Sequence, residues 1–335
     1  MTKREWSGKQ LRPRENLKRK DWIFDHAAFV VAYTGHLQEA RSMSQRAVDF
    51  AQEAGHREKA ALFETRVTLR EAFFGNAHAA KQGATEALAL AKDREVQFGA
   101  AFALALSGDS SRAQTLANDL ERNFPEDTAV RFNYMPSLRA VLALNHGEPV
   151  KATELLQTAV PNELGQSRSS NGYFGALYPI YVRGQAYLAS HQGAQAAGEF
   201  RKILDHRGAV IVDPISVLAH LQLGRAYALS GDETKAKIAY QDFLTLWKDA
   251  DRDIPVLKQA KAIYKQAMDR KLNSGLLHEQ RFMIAYLEDD TAEMDRQVAA
   301  LSGKAEQAYL IRDTGMFAAQ QGRINTWQWS GFTPI

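Results

Sequence analysis

Apolar residues recur along this chain at intervals of three and four, in segments separated by short polar turns. This spacing places apolar side chains on one face of a helix. We predict helix pairs over 22–34 with 37–53, 57–74 with 77–92, 94–107 with 110–123, and 128–145 with 149–159. Because the connections are short, each pair is expected to form an antiparallel hairpin.

A glycine followed five positions later by alanine, and then by a small or apolar residue, marks the turn of five hairpins. The five sets are Gly35/Ala40/Ala47, Gly75/Ala80/Ala87, Gly108/Ala113/Leu120, Gly147/Ala152/Ala159 and Gly231/Ala236/Phe243. Glycine takes a positive φ in a turn without steric cost, and alanine lets two helices cross closely. A period of about 34 to 40 residues is typical of stacked helical hairpins.

Two hairpins in the second half of the chain match each other at a separation of 40 residues. The matched sets are Gly184/Ala186/Tyr187/Ala196/Phe200/Ile203 and Gly224/Ala226/Tyr227/Ala236/Tyr240/Phe243. This pattern resembles the tetratricopeptide repeat (TPR), in which small residues of the two helices face each other and aromatic residues seal the joint. In the earlier of the two hairpins, Gly193 is expected to serve as the turn glycine.

The remaining segments predict a lone helix over 255–268, a seventh pair over 274–288 and 292–302, and a final helix over 304–321. We therefore expect an all-α fold, a right-handed superhelical solenoid of about seven TPR-like hairpins. The expected domains are a basic, partly disordered leader (1–20), the solenoid (21–323) and an aromatic tail (324–335). A polar stretch over 161–172 is expected to form an exposed loop. Asp289 and Asp290 are expected to cap the second helix of the seventh pair.

Several stretches resemble the TPR region at the C-terminal end of acidobacterial-type bacterial serine/threonine protein kinases. They are 177–189, 200–206 and 239–262, and the resemblance covers about 24–324. No kinase motif is present, since the chain lacks a glycine-rich nucleotide loop, a His-Arg-Asp loop and an Asp-Phe-Gly triplet. The order also departs from the family, because the stretch resembling the family's chain end is followed here by about 70 more residues, which resemble what precedes the first hairpin. The resemblance implies an interaction or sensory role in kinase-linked signalling, without the kinase activity.

The final helix would lack its hairpin partner in this arrangement. Terminal repeats normally carry a polar outer face, yet this helix has apolar positions to cover. We expect the tail residues Trp327, Trp329 and Phe332 to fold back over it, or to bind another chain so that the protein self-associates.

Composition narrows the function classes. The chain of 335 residues has no cysteine, which excludes disulfides and thiolate metal sites and fits a cytoplasmic location. No apolar run is long enough to span a bilayer. The first 20 residues carry a net charge of about +6 and the rest about −3, so nucleic acid is disfavoured as a partner of the helical body.

A search for catalytic or metal-binding motifs finds none that is complete. His278-Glu279 begins a zinc-protease pattern, but Phe282 stands where the second histidine is required. No phosphate-binding loop or nucleophile elbow is present. The sequence therefore favours a non-enzyme with no cofactor and no metal, and a protein or peptide as the partner.

The repeat register indicates which side chains face a concave groove. This predicted groove comprises Arg66, Arg70, Phe98, Phe102, Tyr134, Tyr178, Tyr181, Leu221 and Arg225. Arg66 and Arg70 lie one turn apart and could hold a carboxylate bidentately. The structural alternative is that each of these residues packs against a neighbouring helix. A groove of Arg and Tyr that is open at both ends would favour a peptide-binding scaffold. A closed, mostly apolar pocket would favour a regulatory solenoid that senses a small molecule or short peptide.

Overall fold

The computed structural model describes residues 13–165, 175–269, 275–288 and 290–301, which form helices and turns without a strand among them. The chain divides into two compact units, Met1–Lys258 and Gln259–Ile335. The all-α expectation is confirmed for the described residues.

The helices follow one another along the chain with short turns between most of them. In order they are α1 (Pro13–Tyr33), α2 (Leu37–Glu53), α3 (Arg57–Phe73), α4 (Ala77–Leu90), α5 (Arg94–Leu106), α6 (Ser110–Asn123), α7 (Met135–Asn145), α8 (Pro149–Leu155), α9 (Tyr178–Ala189), α10 (Gly193–Asp205), α11 (Arg207–Val210), α12 (Pro214–Leu229), α13 (Glu233–Leu246), α14 (Pro255–Asp269), α15 (Gly275–Leu287) and α16 (Thr291–Ala300).

Most predicted helix boundaries agree with these within two residues, and three regions differ. α1 begins at Pro13, inside the expected leader, rather than at residue 22. A π-helical turn, Val130–Tyr134, precedes α7 and leads into Pro136, which cannot donate a main-chain hydrogen bond. A 3₁₀ stretch, Leu156–Asn162, extends α8 beyond Pro161.

The glycine–alanine signature acts as the sequence predicts. All five turn glycines have φ between 74° and 88°. Ala40, Ala80, Ala113 and Ala152 are completely buried, and Ala236 is nearly so. The glycine ends one helix in the left-handed region, and the alanine allows its partner to cross closely.

The two hairpins aligned at 40 residues share the same internal contact. A β-carbon at Gly184 would come within 2.6 Å of the Phe200 ring, and one at Gly224 within 2.7 Å of the Tyr240 ring. Real β-carbons do not approach ring atoms so closely. In both hairpins, therefore, the aromatic ring of the second helix lies directly on the glycine of the first.

The expectation for Gly193 is wrong. The turn between α9 and α10 is made by His191, which has φ 56° and stands 40 residues before the turn glycine Gly231. Gly193 is instead the first residue of α10. A β-carbon there would come within 2.6 Å of the Ala226 carbonyl oxygen, so this glycine serves the close packing of α10 on α12.

Hairpins pack against their neighbours in chain order throughout the first unit. The first helix of each hairpin contacts its own partner and the helices of the adjacent hairpin, as in the series α3, α5, α7, α9 and α12. α12 additionally contacts α1 and α3, which lie far back in the sequence. The first unit therefore brings its early and late helices together.

A segment after α13, the closing segment (247–256), packs on the turns of the first two hairpins. Its Asp251 N–H donates to the Gly35 carbonyl at 3.0 Å, and Asp251 Oδ2 accepts from Gln38 N–H at 2.7 Å. The Val256 N–H donates to the Phe74 carbonyl at 3.1 Å. These contacts satisfy main-chain groups that a helix end would otherwise leave open.

The second unit contains a small core between α15 and α16. It consists of Phe282, Ala285, Tyr286, Met294, Val298 and Leu301. The Asp290 side chain accepts a hydrogen bond from Glu293 N–H at 3.0 Å, so the expected cap of α16 is confirmed at Asp290.

The expected helix over 304–321 and the aromatic tail lie outside the described residues. So do residues 1–12 of the leader, Asp289 and most of the predicted loop over 161–172.

Candidate functional site

A cavity of about 250 Å³ lies in the first unit, between α1 and α3 on one side and the start of α12 on the other. α1 presents Trp22, His26 and Phe29 to it, and α3 presents Arg66, Leu69 and Arg70. Both sets follow the spacing of one helix face, at intervals of three and four residues. A regular helix surface therefore forms this half of the cavity.

The opposite wall is irregular. It consists of Val210–Pro214, together with Tyr178 from α9. Ile211 has φ 44° and ψ −97° and is about half exposed. A β-branched residue with positive φ stores backbone strain, on the order of 1–3 kcal/mol. The strained bend directs the chain across the cavity and into α12.

Arg66 meets a carboxylate supplied by the chain itself. Its Nη1–H donates to Asp25 of α1, and both side chains are almost completely buried. The Arg66 guanidinium also lies 5.4 Å from the Trp22 ring centroid and 5.6 Å from that of Phe29, within cation–π range. Burial raises the pKa of Asp25, although Arg66 acts to lower it.

Arg70 has a different environment. It is 1% exposed, and its Nη2–H donates to the Ser44 hydroxyl at 3.1 Å, while its Nε–H is buried without a hydrogen-bond partner. Burial lowers the pKa of Arg70 to about 10, so the side chain is still charged at neutral pH. Glu71, the next residue, is already bound by Arg41 through two hydrogen bonds of 2.8 and 2.7 Å. Arg70 is thus a buried cation beside a cavity, with a neutral hydroxyl as its acceptor.

Asp213 provides the carboxyl group of the irregular wall. Its Oδ1 accepts from Ile215 N–H at 3.1 Å and so caps α12, and its Oδ2 accepts from the Tyr178 hydroxyl at 3.2 Å. Burial raises the pKa of Asp213 to about 7, against the lowering effect of these two hydrogen bonds. Near neutral pH the group is therefore partly protonated.

Of the nine residues of the predicted groove, Arg66, Arg70 and Tyr178 border this cavity. Phe98, Phe102 and Tyr134 lie outside it and are fully buried. Tyr134 stacks on Phe98 with centroids 3.9 Å apart, and Phe102 stacks on Tyr178 at 5.1 Å. These three residues therefore pack against neighbouring helices, the alternative to a groove position, because the aromatic rings cover one another.

The other three groove residues belong to α9 and α12. Leu221 is fully buried, and Tyr181 is 5% exposed and accepts a hydrogen bond from Gln222 at 3.4 Å. Arg225 donates to Gln222 at 3.1 Å and is partly buried. None of the three borders the cavity.

Sequence reasoning did not find the α1 face or the wall over 210–214. The spacing of Trp22, His26 and Phe29 was a usable signal, because it places three large side chains on one helix face. Asp25 was a second signal, as an acidic residue within an apolar helix. The irregular wall has no repeat register, so no pattern predicts where it lies.

The described residues contain no group of three His, Asp or Glu side chains that could hold a metal ion. His278 is hydrogen bonded to Gln297 at 2.8 Å, and Phe282 is buried in the core of the second unit. No helix among the described residues is both long and apolar enough to cross a membrane.

Comparison with known proteins gives no assignment of family or function. No protein-family model matches the chain, and no curated protein matches it significantly.

Proposed function

We propose that this chain is a non-enzymatic, regulatory helical-repeat protein that senses a small ligand bound in the cavity between α1, α3 and the 210–214 wall. The observation that carries the proposal is the cavity itself, at about 250 Å³ and lined mainly by apolar side chains. A dry cavity of roughly 150 Å³ holds a benzene ring, and sites for drug-sized ligands begin at about 300 Å³. The expected ligand is therefore small, of the order of one ring with a polar substituent.

The position of the cavity supports a regulatory role. Its walls come from the first helices of the first two hairpins, α1 and α3, and from the segment that enters α12, which is distant from them in sequence. A ligand that contacts both walls favours the conformation in which the walls are close. The ligand can shift the equilibrium between two conformations by as much as its binding free energies for the two differ. The resemblance of the repeats to regions attached to signalling kinases agrees with this role.

A peptide- or protein-binding scaffold in the same right-handed solenoid is the second candidate. Arg66, Arg70 and Tyr178 favour it, since all three border one cavity and offer chemistry that suits a peptide terminus. The burial of Phe98, Phe102, Tyr134, Tyr181 and Leu221 weighs against a long open groove. We therefore rank the small ligand first.

The test measures thermal stabilisation of the full chain by fractions of a metabolite extract, with native mass spectrometry to weigh any bound species. Leu69→Phe fills the cavity from α3, and Val150→Phe adds the same bulk at a residue that is 61% exposed. We expect at least one fraction to stabilise the wild type and Val150→Phe but not Leu69→Phe. Equal responses of the wild type and Leu69→Phe to every fraction would contradict the proposal.

A further inference from the structure

We infer that the ligand of this cavity carries a carboxylate on a small apolar body, and that the carboxylate pairs with the guanidinium of Arg70. The inference rests on the proposed function and adds the chemical class of the ligand. Its starting point is Arg70 itself, which borders the cavity, is almost completely buried and leaves its Nε–H without a partner.

A buried charge is costly unless an opposite charge and hydrogen bonds compensate it. Arg183, another deeply buried arginine, is compensated by carboxylates, although its Nη1 is also buried without a hydrogen-bond partner. Its Nε–H donates to Glu199 at 2.9 Å, and its Nη2–H donates to Glu163. No such carboxylate contacts Arg70 among the described residues.

Three carboxylates act electrostatically on Arg70, and two of them, Asp25 and Glu71, already have other partners. The third, Glu64, forms no ion pair with Arg70, and burial raises its pKa to about 7. Asp25 is bound by Arg66, and Glu71 is bound bidentately by Arg41 and also accepts from Asn76 at 2.8 Å. The protein thus provides counter-charges for Arg41 and Arg66 and, among the described residues, none in contact with the buried guanidinium of Arg70, which borders the cavity. An anion that enters from outside would supply the missing partner, and a carboxylate matches the fork of a guanidinium in a bidentate pair.

Among the described residues that line the cavity, Asp213 is the one with an acidic side chain, and it does not oppose an anion strongly. Its carboxyl group is hydrogen bonded by Tyr178 and Ile215 rather than by an arginine. Because burial raises its pKa to about 7, the group is largely neutral below that pH. With Arg66 neutralised by Asp25, the cavity then has a net positive charge located at Arg70.

The other residues that line the cavity determine what the uncharged part of the ligand can be. Trp22, Phe29, Leu69 and Val210 are apolar, and the cavity has room for about one ring beyond the anionic group. Inorganic phosphate would satisfy the charge but not the apolar walls. A small aromatic or short aliphatic acid satisfies both. A hydrophobic residue at a peptide C-terminus offers the same chemistry.

The experiment compares ligands that differ in one property, by calorimetry on the full chain at pH 6.5. Phenylacetate is the probe, 2-phenylacetamide is its neutral analogue, and acetate and inorganic phosphate lack the apolar body. We expect phenylacetate to bind at least tenfold more tightly than each of the others. N-acetyl-Gly-Phe and its C-terminal amide form a second pair. Their affinities relative to phenylacetate tell whether a free acid or a chain terminus fits better.

Variants then test the role of Arg70. Arg70→Gln should lose the preference for phenylacetate over the amide, and Arg70→Lys should keep part of it. The control Arg139→Gln removes an exposed arginine that pairs with Glu121 at 2.6 Å, and should behave as the wild type. Circular dichroism checks that each variant is folded.

The outcomes separate this inference from the proposed function. If the wild type bound phenylacetate and the amide equally well, and Leu69→Phe bound neither, the inference that the ligand carries a carboxylate would be wrong. The cavity would still be a ligand-binding site. A preference for the acid that survives in Arg70→Gln would overturn the role of Arg70. If neither acid, neither amide and no extract fraction binds, both proposals fail.

Discussion

The indole Nε1–H of Trp247 donates a hydrogen bond to the main-chain carbonyl of Tyr33 at 3.0 Å, although 214 positions separate the two residues. Trp247 begins the closing segment, and Tyr33 ends α1. The indole is 1% exposed and meets the Phe74 ring edge-to-face with centroids 5.0 Å apart. One side chain therefore joins the last hairpin of the first unit to the turns of the first two.

Replacing Trp247 should separate these parts. We expect Trp247→Ala to lower the free energy of unfolding by about 3–5 kcal/mol, as for other buried large-to-small substitutions. Trp247→Phe keeps most of the apolar contact but leaves the Tyr33 carbonyl without its donor, so a loss of about 1–3 kcal/mol is expected. Urea denaturation measures both, and a wild-type midpoint for Trp247→Ala would refute the assigned contact.

The turn glycines allow a matched test of the same docking. Gly35 and Gly108 both have positive φ, at 84° and 77°, but only at Gly35 would a methyl group overlap another segment, at Ala250. Alanine should cost about 1–2 kcal/mol at either position for the left-handed backbone. At Gly35 the overlap should add about 1–3 kcal/mol. Equal destabilisation of Gly35→Ala and Gly108→Ala would show that the closing segment does not pack there.

The pair formed by Asp25 and Arg66 should be important for the stability of α1 against α3. Asp25→Asn leaves a buried guanidinium without its carboxylate, which typically costs about 3–5 kcal/mol. The control Asp119→Asn breaks a pair with Arg122, which is 72% exposed, and should cost less than about 1 kcal/mol. Thermal unfolding of the two variants beside the wild type checks the difference. A loss at Asp25 no larger than at Asp119 would mean that the buried pair adds little to stability.

The raised pKa of Asp213 predicts how stability changes with pH. Between the ordinary value of 3.8 and about 7, the folded chain keeps a proton that the unfolded chain has released. The contribution of this group to the free energy of unfolding therefore falls as pH rises through that interval. Asp213→Asn removes the effect, and it keeps an acceptor for Ile215 and Tyr178.

We expect Asp213→Asn to match the wild type near pH 4 and to be more stable at pH 8, in urea melts at both values. Asp232 is the matched control, because it caps α13 in the same way but has a lowered pKa through its hydrogen bonds with Lys235. Asp232→Asn should be less stable than the wild type at pH 8. If the wild type were instead more stable than Asp213→Asn at pH 8, the fold would stabilise the charged Asp213 carboxylate, and the prediction would be wrong.

The parts of the fold that the sequence predicts are those with a local physical cause. Gly184 with Phe200 and Gly224 with Tyr240 could be aligned because each pair lies within one hairpin and repeats after 40 residues. The positive φ of the turn glycines follows from the same local geometry. His191 escaped prediction because it is an ordinary side chain in a left-handed turn, which a glycine search does not detect.

The candidate site was predictable only in part. Arg66 and Arg70 were found through their spacing on α3, but their different roles depend on Asp25 of α1 and Ser44 of α2. The wall over 210–214 reaches the cavity through contacts between distant parts of the chain. No periodic pattern in a single sequence contains that information.

The closing segment also changes how the first unit should fold. In an open series of hairpins, each hairpin contacts only its neighbours. Folding can therefore begin anywhere, and partly folded species lie at low free energy. Contacts such as those of Trp247 with Tyr33 and Asp251 with Gly35 raise the contact order, because long stretches of chain must be ordered before they form. We therefore expect the first unit to fold more slowly, and in a more concerted way, than an open series of hairpins. Insertion or deletion of a single hairpin, which an open series tolerates, would here carry the closing segment away from the turns it covers.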